Sequence, residues 1–319
     1  MKTNLVKYLL VFGLVIASIG CESLDVKNLN EPDTDRVLAT PGDLIGLAGG
    51  AMRVWSNAIQ EYSGPALAMC TMADENTCSW GNVGMRDLSS EPRAGFNNNI
   101  TYAYSYVNRD FWNDSYTANS SVNDVLMKIE EGTIINTQAE TDMIAAWCYF
   151  MQGVVHGYLG LVFDKANIID ETTDLSTLEF IPYPEVAAAG VGYLDKAIAK
   201  INSSAPFTLP DGFIRGYNLT SEELKQLANS FAARILAYSS RNKDDNEAVD
   251  WGRVLTYANA GIDWDYSPNM DDNTWWDNYK GYGVYPGWVR VDHRILNLMQ
   301  HNYPSRWPDD NVSWNTIDG

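Results

Sequence analysis

Ile144, Cys148, Met151, Val155 and Tyr158 recur at steps of three and four. Only an α-helix puts such a series on one buried side. The pattern returns along the chain. Leu44, Ala48, Met52, Trp55 and Ile59 carry it first, with Gly49 and Gly50 weakening the helix locally. Val122, Val125, Leu126 and Ile129 predict a helix over about 118–130, and the Ile144 series one over 138–160, where Gly160 can end it. Ala187, Val191, Leu194, Ile198 and Ile201 follow Pro184, whose fixed backbone angle suits a first turn. Leu224, Leu227, Phe231, Ile235 and Leu236 follow Thr220-Ser221-Glu222-Glu223, a capping box in which Thr220 and Glu223 satisfy each other's amides. Shorter helices are expected near 250–262 and around Ile295, Leu296 and Met299. Residues 63–100 and 302–319 read as irregular, and strands have little support. The expectation is an all-α fold of helix pairs packed on one another, without a simple repeat in sequence.

The first twenty residues stand outside that fold. Lys2 and Lys7 precede an apolar run from Tyr8 to Ile19, and Gly20-Cys21 comes directly after it. The run is about a dozen residues, whereas a spanning helix needs roughly 20. It therefore reads as a cleaved signal peptide over 1–20. Ser18-Ile19-Gly20-Cys21 resembles a bacterial lipobox, with Ser18 where an aliphatic residue is common. Cys21 is then expected to carry the lipid (palmitate among its acyl chains), followed by a tether over 21–43 and a helical domain over 44–319.

The chain has 41 acidic and 22 basic residues, a formal charge of −19, and loses two more positive charges with the signal. Such a field repels nucleic-acid phosphates and anionic lipid heads, while tolerating neutral sugars, peptides and cations. No nucleic-acid partner is expected. Cys70 and Cys78 flank a polar loop and can pair in an oxidising compartment; Cys148 lies on a helical stripe and reads as core. With three histidines and no CxxC, a zinc site is not expected. Asp263, Asp265, Asp271 and Asp272 lack EF-hand spacing and read as a solvated acidic loop. No metal and no cofactor are called for.

Four stretches resemble the SusD/RagB family of outer-membrane nutrient-uptake lipoproteins. They are Cys21-Glu22-Ser23-Leu24-Asp25-Val26, continuing to Thr40-Pro41-Gly42-Asp43-Leu44; Ala145-Ala146-Trp147-Cys148-Tyr149-Phe150, continuing to Gly160; Pro184-Glu185-Val186 with Tyr193 to Ile198; and Leu227 to Tyr238. The resemblance implies tetratricopeptide-like helix pairs (a SusD-like α-α superhelix) overlaid by long irregular loops. It also implies a surface-exposed, lipid-anchored outer-membrane protein without enzymatic activity. Such a protein captures oligosaccharides, or peptides in some members, for a SusC-type TonB-dependent transporter. Two departures stand out. Leu161-Val162-Phe163-Asp164 replaces a common prolyl turn. The sequence also stops after Trp314-Asn315, where members usually continue, so a shortened version and a compact branch both stay open.

Sugars offer apolar ring faces and hydroxyls, which aromatic rings with polar handles match. Residues 275–288 fit best, and Trp275, Trp276, Tyr279, Tyr282, Tyr285 and Trp288 are the ligand candidates. Each ring is equally suited to pinning its loop onto the helices. Trp80, Tyr102, Tyr104, Tyr106 and Trp112 form a weaker second group, and 102–106 also fits one face of a short strand. Two rival readings are a secreted all-helical glycoside hydrolase, which needs two facing carboxylates, and a helical protein-interaction scaffold.

Overall fold

The computed structural model describes residues 38, 40–61, 63–78, 81–90, 94–97, 99–277, 281, 283 and 288–305. The signal peptide, Cys21, most of the tether, Trp80, Tyr279, Tyr282 and Tyr285 lie outside these residues. The chain divides into two units, Met1–Ala39 and Thr40–Gly319, and the helical fold belongs to the second.

Helix α1 (Pro41–Gln60) begins at a capping box: Thr40 Oγ1 accepts from the Asp43 amide, and the Asp43 carboxylate accepts from the Thr40 amide. Short helices α2 (Pro65–Met72) and α3 (Met85–Ser89) come after it, then α4 (Tyr106–Glu130) and α5 (Gln138–Val162). Next come α6 (Tyr183–Ser203), α7 (Ser221–Tyr238), α8 (Lys243–Ala248), α9 (Trp251–Asn259) and α10 (His293–Met299). Two-residue ladders join β1 (Asn76–Thr77) to β4 (Arg290–Val291) and β2 (Lys165–Ala166) to β3 (Ile181–Pro182), both antiparallel. The fold is all-α, as the stripes predict.

Helix α5 is buried nearly all round, from Thr141 to Gly160, because α1, α4, α6 and α7 all pack on it. Trp147 fixes α1 by donating from Nε1 to the Ala48 carbonyl at 2.8 Å. The α5–α6 pair meets through glycines: a Cβ on Gly190 would stand 2.4 Å from the Gly157 nitrogen and 2.9 Å from the Gly153 oxygen. The Thr220–Glu223 capping box forms at the start of α7 as expected. Cys148 is fully buried, and burial pushes its thiol pKa up.

Several expectations need correction. Residues 63–100 contain α2 and α3, which join Leu67, Met85, Leu88, Val107 and Val289 in a second apolar cluster. Helix α4 starts at Tyr106 rather than near 118, because Val107, Phe111, Ser115 and Ala118 extend its buried side. Tyr102 and Tyr104 form no strand; they pack edge-on to each other in the turn before α4. The helix through Ile144 ends at Val162, two residues beyond Gly160. Cys70 lies half-buried on α2, and Cys78 is buried just after β1.

The strap between β2 and β3 is held to α5 by a buried histidine. His156 Nε2 accepts from the Ile169 amide at 3.0 Å, leaving Nδ1–H to donate to the Gln152 carbonyl at 2.7 Å. This arrangement is neutral. Burial lowers the imidazole pKa to about 4, although the Gln152 bond and Asp170 oppose the shift. Between pH 6.5 and about 4 the unfolded chain therefore binds the extra proton. Stability is full above that window and falls through it by about 3 kcal/mol, at 1.36 kcal/mol per unit. Urea midpoints at pH 7.5 and 4.5 measure this loss.

Candidate functional site

An aromatic cleft of about 400 Å³ opens between α1, α5 and α7, with residues 262–275 laid over it. Each helix contributes side chains to its lining: Trp55 from α1, Tyr158 from α5, and Phe231 with Arg234 from α7. Trp55 stands edge-on to Tyr158 at 4.9 Å and to Phe231 at 6.0 Å. The Arg234 guanidinium lies 6.0 Å from the Tyr158 ring and 5.2 Å from the Tyr238 ring. Burial raises the Tyr158 pKa, which Arg234 partly offsets. Burial also raises that of Tyr266, reinforced by Tyr217 and Tyr158. Both phenols stay protonated at neutral pH, so the walls are uncharged except for Arg234.

Trp55 Nε1 is buried and has no hydrogen-bond acceptor among the described residues. A buried donor without a partner costs about 1–3 kcal/mol. Trp55 itself is one of the residues that line the cleft.

The covering loop is tied down along its length. Ser230 Oγ accepts from the Ile262 amide at 2.9 Å, and Trp264 Nε1 donates to Gln226 at 3.0 Å. Tyr217 accepts from the Ser267 amide at 2.7 Å. Asp271 Oδ1 accepts from the amides of Trp275, Thr274 and Asn273 at 2.8, 2.9 and 3.2 Å. The other oxygen pairs with Arg215. The Trp275 amide and Arg215 hold the Asp271 carboxyl well below the usual carboxylate range. Asn57 clamps the end of the loop, donating to Thr274 O at 2.9 Å and accepting from the Trp276 amide at 3.0 Å.

Asp271 is exposed, as expected for a solvated acidic loop, and also serves as a backbone acceptor. Among the described residues no group of three potential metal ligands gathers. Substituting Asp271 with alanine leaves three amides and Arg215 without their acceptor. The expected result is faster amide exchange at 273–275 with the helices still protected, read by hydrogen–deuterium exchange. Since the folded pKa is lowered, the carboxylate's contribution is present above about pH 4 and is lost as pH falls toward the folded value.

Of the ligand candidates, Trp275 reaches the cleft as a nearly buried wall, 5% exposed. Trp276 and Trp288 are half-buried and do not line it. Trp55, Tyr158, Phe231 and Arg234 are not legible in the sequence as site residues. In one dimension the three rings are indistinguishable from core positions of their stripes.

No family model matches the chain, and no curated protein does. A crystal structure of a SusD/RagB family protein from Bacteroides thetaiotaomicron VPI-5482 superposes with a TM-score of 0.54 at 16% identity, over 81% of this chain and 52% of its own. The chain has a SusD/RagB fold. A SusD-like carbohydrate binding protein from Bacteroides vulgatus ATCC 8482 gives a TM-score of 0.48 at 17% identity, over 73% of this chain and 47% of its own. The chain spans about half the length of these two structures. The SusD/RagB architecture expected from the four sequence stretches is therefore the architecture found, and α5, α6 and α7 contain three of those stretches.

Proposed function

We propose that the protein is a SusD/RagB-type surface lipoprotein that captures saccharides in the aromatic cleft and delivers them to a SusC-type TonB-dependent transporter. The observation that carries the binding step is the unpartnered Trp55 Nε1 within an aromatic wall. Sugar rings bring apolar faces for Tyr158, Phe231 and Trp275, and oxygens for Trp55 Nε1 and Arg234. The cleft lining contains no Asp or Glu among the described residues. A glycosidase needs a carboxylate pair across the scissile bond, so binding without cleavage is the reading for this cleft. Isothermal titration against a glycan panel tests it. Saccharide binding without released product is expected, and hydrolysis by the pure protein would overturn the reading.

Anchoring through Cys21 is part of the same proposal. Among the described residues no helix is long and apolar enough to cross a membrane, and Cys21 follows a lipobox-like run. Cys21→Ser is expected to move the protein from the membrane fraction to the soluble one; retention in the membrane would contradict lipid anchoring. The transporter partnership is tested by co-purification from native membranes. A Cys70–Cys78 disulfide is a further proposal: without reduction neither cysteine is expected to take up an alkylating reagent, and after reduction both are.

A further inference from the structure

A second, larger cleft of about 680 Å³ lies between α4 and the strap that joins β2 to β3, and it shares no lining residue with the aromatic cleft. Its base is a network whose donors are already committed. The Ile169 carbonyl accepts from Asn119 Nδ2 at 2.8 Å and from Asn123 Nδ2 at 3.2 Å. Gln152 Nε2 donates to Asn123 Oδ1 at 2.8 Å and to Glu171 Oε2 at 2.7 Å. Tyr116 OH donates to the Asn167 carbonyl.

Acceptors are left over. Asn119 is 1% exposed and lines the cleft, and its Oδ1 has no donor among the described residues. The bond from Nδ2 to Ile169 fixes which way that amide points. Asp124 and Glu171 add carboxylates, whereas no Lys, Arg or His lines the space among the described residues. Trp112 supplies an aromatic face, braced edge-on by Phe163 at 5.0 Å. Oxygen acceptors and no resident cation suit a positively charged N–H donor.

We propose that this cleft is a second binding site that takes an organic amine, its cationic nitrogen held by Asp124 and its remaining N–H or O–H groups offered Asn119 Oδ1 as a further acceptor. Two sources share that chemistry, an amino sugar and a basic amino-acid side chain. Burial raises the Asp124 carboxyl pKa, with Lys128 opposing; Lys128 Nζ is itself paired with Glu131 at 2.9 Å. A bound cation would relieve the desolvated carboxylate. The net charge of −19 also favours cation approach.

Isothermal titration of the detergent-solubilised full chain tests this, with glucosamine against N-acetylglucosamine and Nα-acetyl-lysine amide against its Nε-acetylated form. Each acetylation removes the charge and keeps the body. At least one amine is expected to bind at least tenfold more tightly than its acetylated partner, and which one does so identifies the source. Asp124→Asn is expected to lower that affinity at least tenfold without changing the melting temperature. Ser120→Trp, which fills the cleft from its rim, serves as a second variant with the same expected loss. Equal binding of amine and acetylated forms, no amine binding at millimolar concentration, or unchanged amine binding in both variants would overturn the proposal. Saccharide binding in the aromatic cleft is read separately through Trp55, so the two sites fail independently.

Discussion

Gly190→Ala is expected to be among the most damaging single-methyl additions to this chain, lowering stability by about 3 kcal/mol or more. The added Cβ would meet backbone, not a movable side-chain tip: the Gly157 nitrogen at 2.4 Å, the Gly157 Cα at 2.7 Å and the Gly153 oxygen at 2.9 Å. Helices α5 and α6 would have to separate. Helix α5 cannot retreat freely, because α1, α4 and α7 pack on it, and Gly157 already faces Ile235 on α7. Domain stability is only about 5–15 kcal/mol, so Gly190→Val is expected to leave little folded protein. The matched control is Gly192→Ala on the same helix, where a Cβ meets nothing within 4 Å. That change removes a helix-interior glycine and is expected to be neutral or to stabilise by about 0.5–1 kcal/mol. Thermal unfolding followed by circular dichroism compares the two. Equal melting temperatures for Gly190→Ala and Gly192→Ala would contradict the close α5–α6 packing.

Trp55→Phe is expected to weaken saccharide binding about tenfold, or about 1.4 kcal/mol, while leaving the fold intact. The substitution keeps an aromatic ring against Tyr158 and Phe231 and deletes Nε1. In the unliganded protein that nitrogen has no acceptor among the described residues, so its removal costs no protein hydrogen bond and offsets part of the lost packing. A core residue with no ligand role gives the opposite pattern, with stability lost and binding unaffected. Arg234→Ala supplies an independent check from α7. Arg234 is exposed, so its loss is expected to reduce affinity with little change in melting temperature.

The scaffold is more legible in the sequence than the site, for a physical reason. A stripe such as Leu224, Leu227, Phe231 and Ile235 reports local periodicity, and the Thr220–Glu223 box reports a local hydrogen-bond cycle; both survive in one dimension. The first half of α4 escapes the pattern because its buried side includes Ser115, Ala118 and Asn119, whose polarity or small size weakens the stripe. Asn119 and Asn123 are buried there because both donate to the Ile169 carbonyl of a distant strap. The glycine seam is hidden too, since Gly153, Gly157 and Gly190 acquire meaning only when α5 and α6 touch. At the site, Trp275 is legible as an aromatic in an acidic loop. Its partners Trp55, Tyr158 and Phe231 come from three helices, and no spacing rule brings them together. Asp271 reads correctly as solvated, but its pairing with Arg215, 56 residues away in sequence, leaves no local trace.

The central claim is that the aromatic cleft binds saccharide through Trp55, and the Trp55 indole N–H resonance reports on it directly. In ¹⁵N-edited spectra of the full chain, the resonance is assigned by its absence in Trp55→Phe. Addition of the saccharide selected from the glycan panel is expected to shift it downfield as Nε1 gains an acceptor. A bound saccharide that leaves the Trp55 resonance unmoved would contradict the claim.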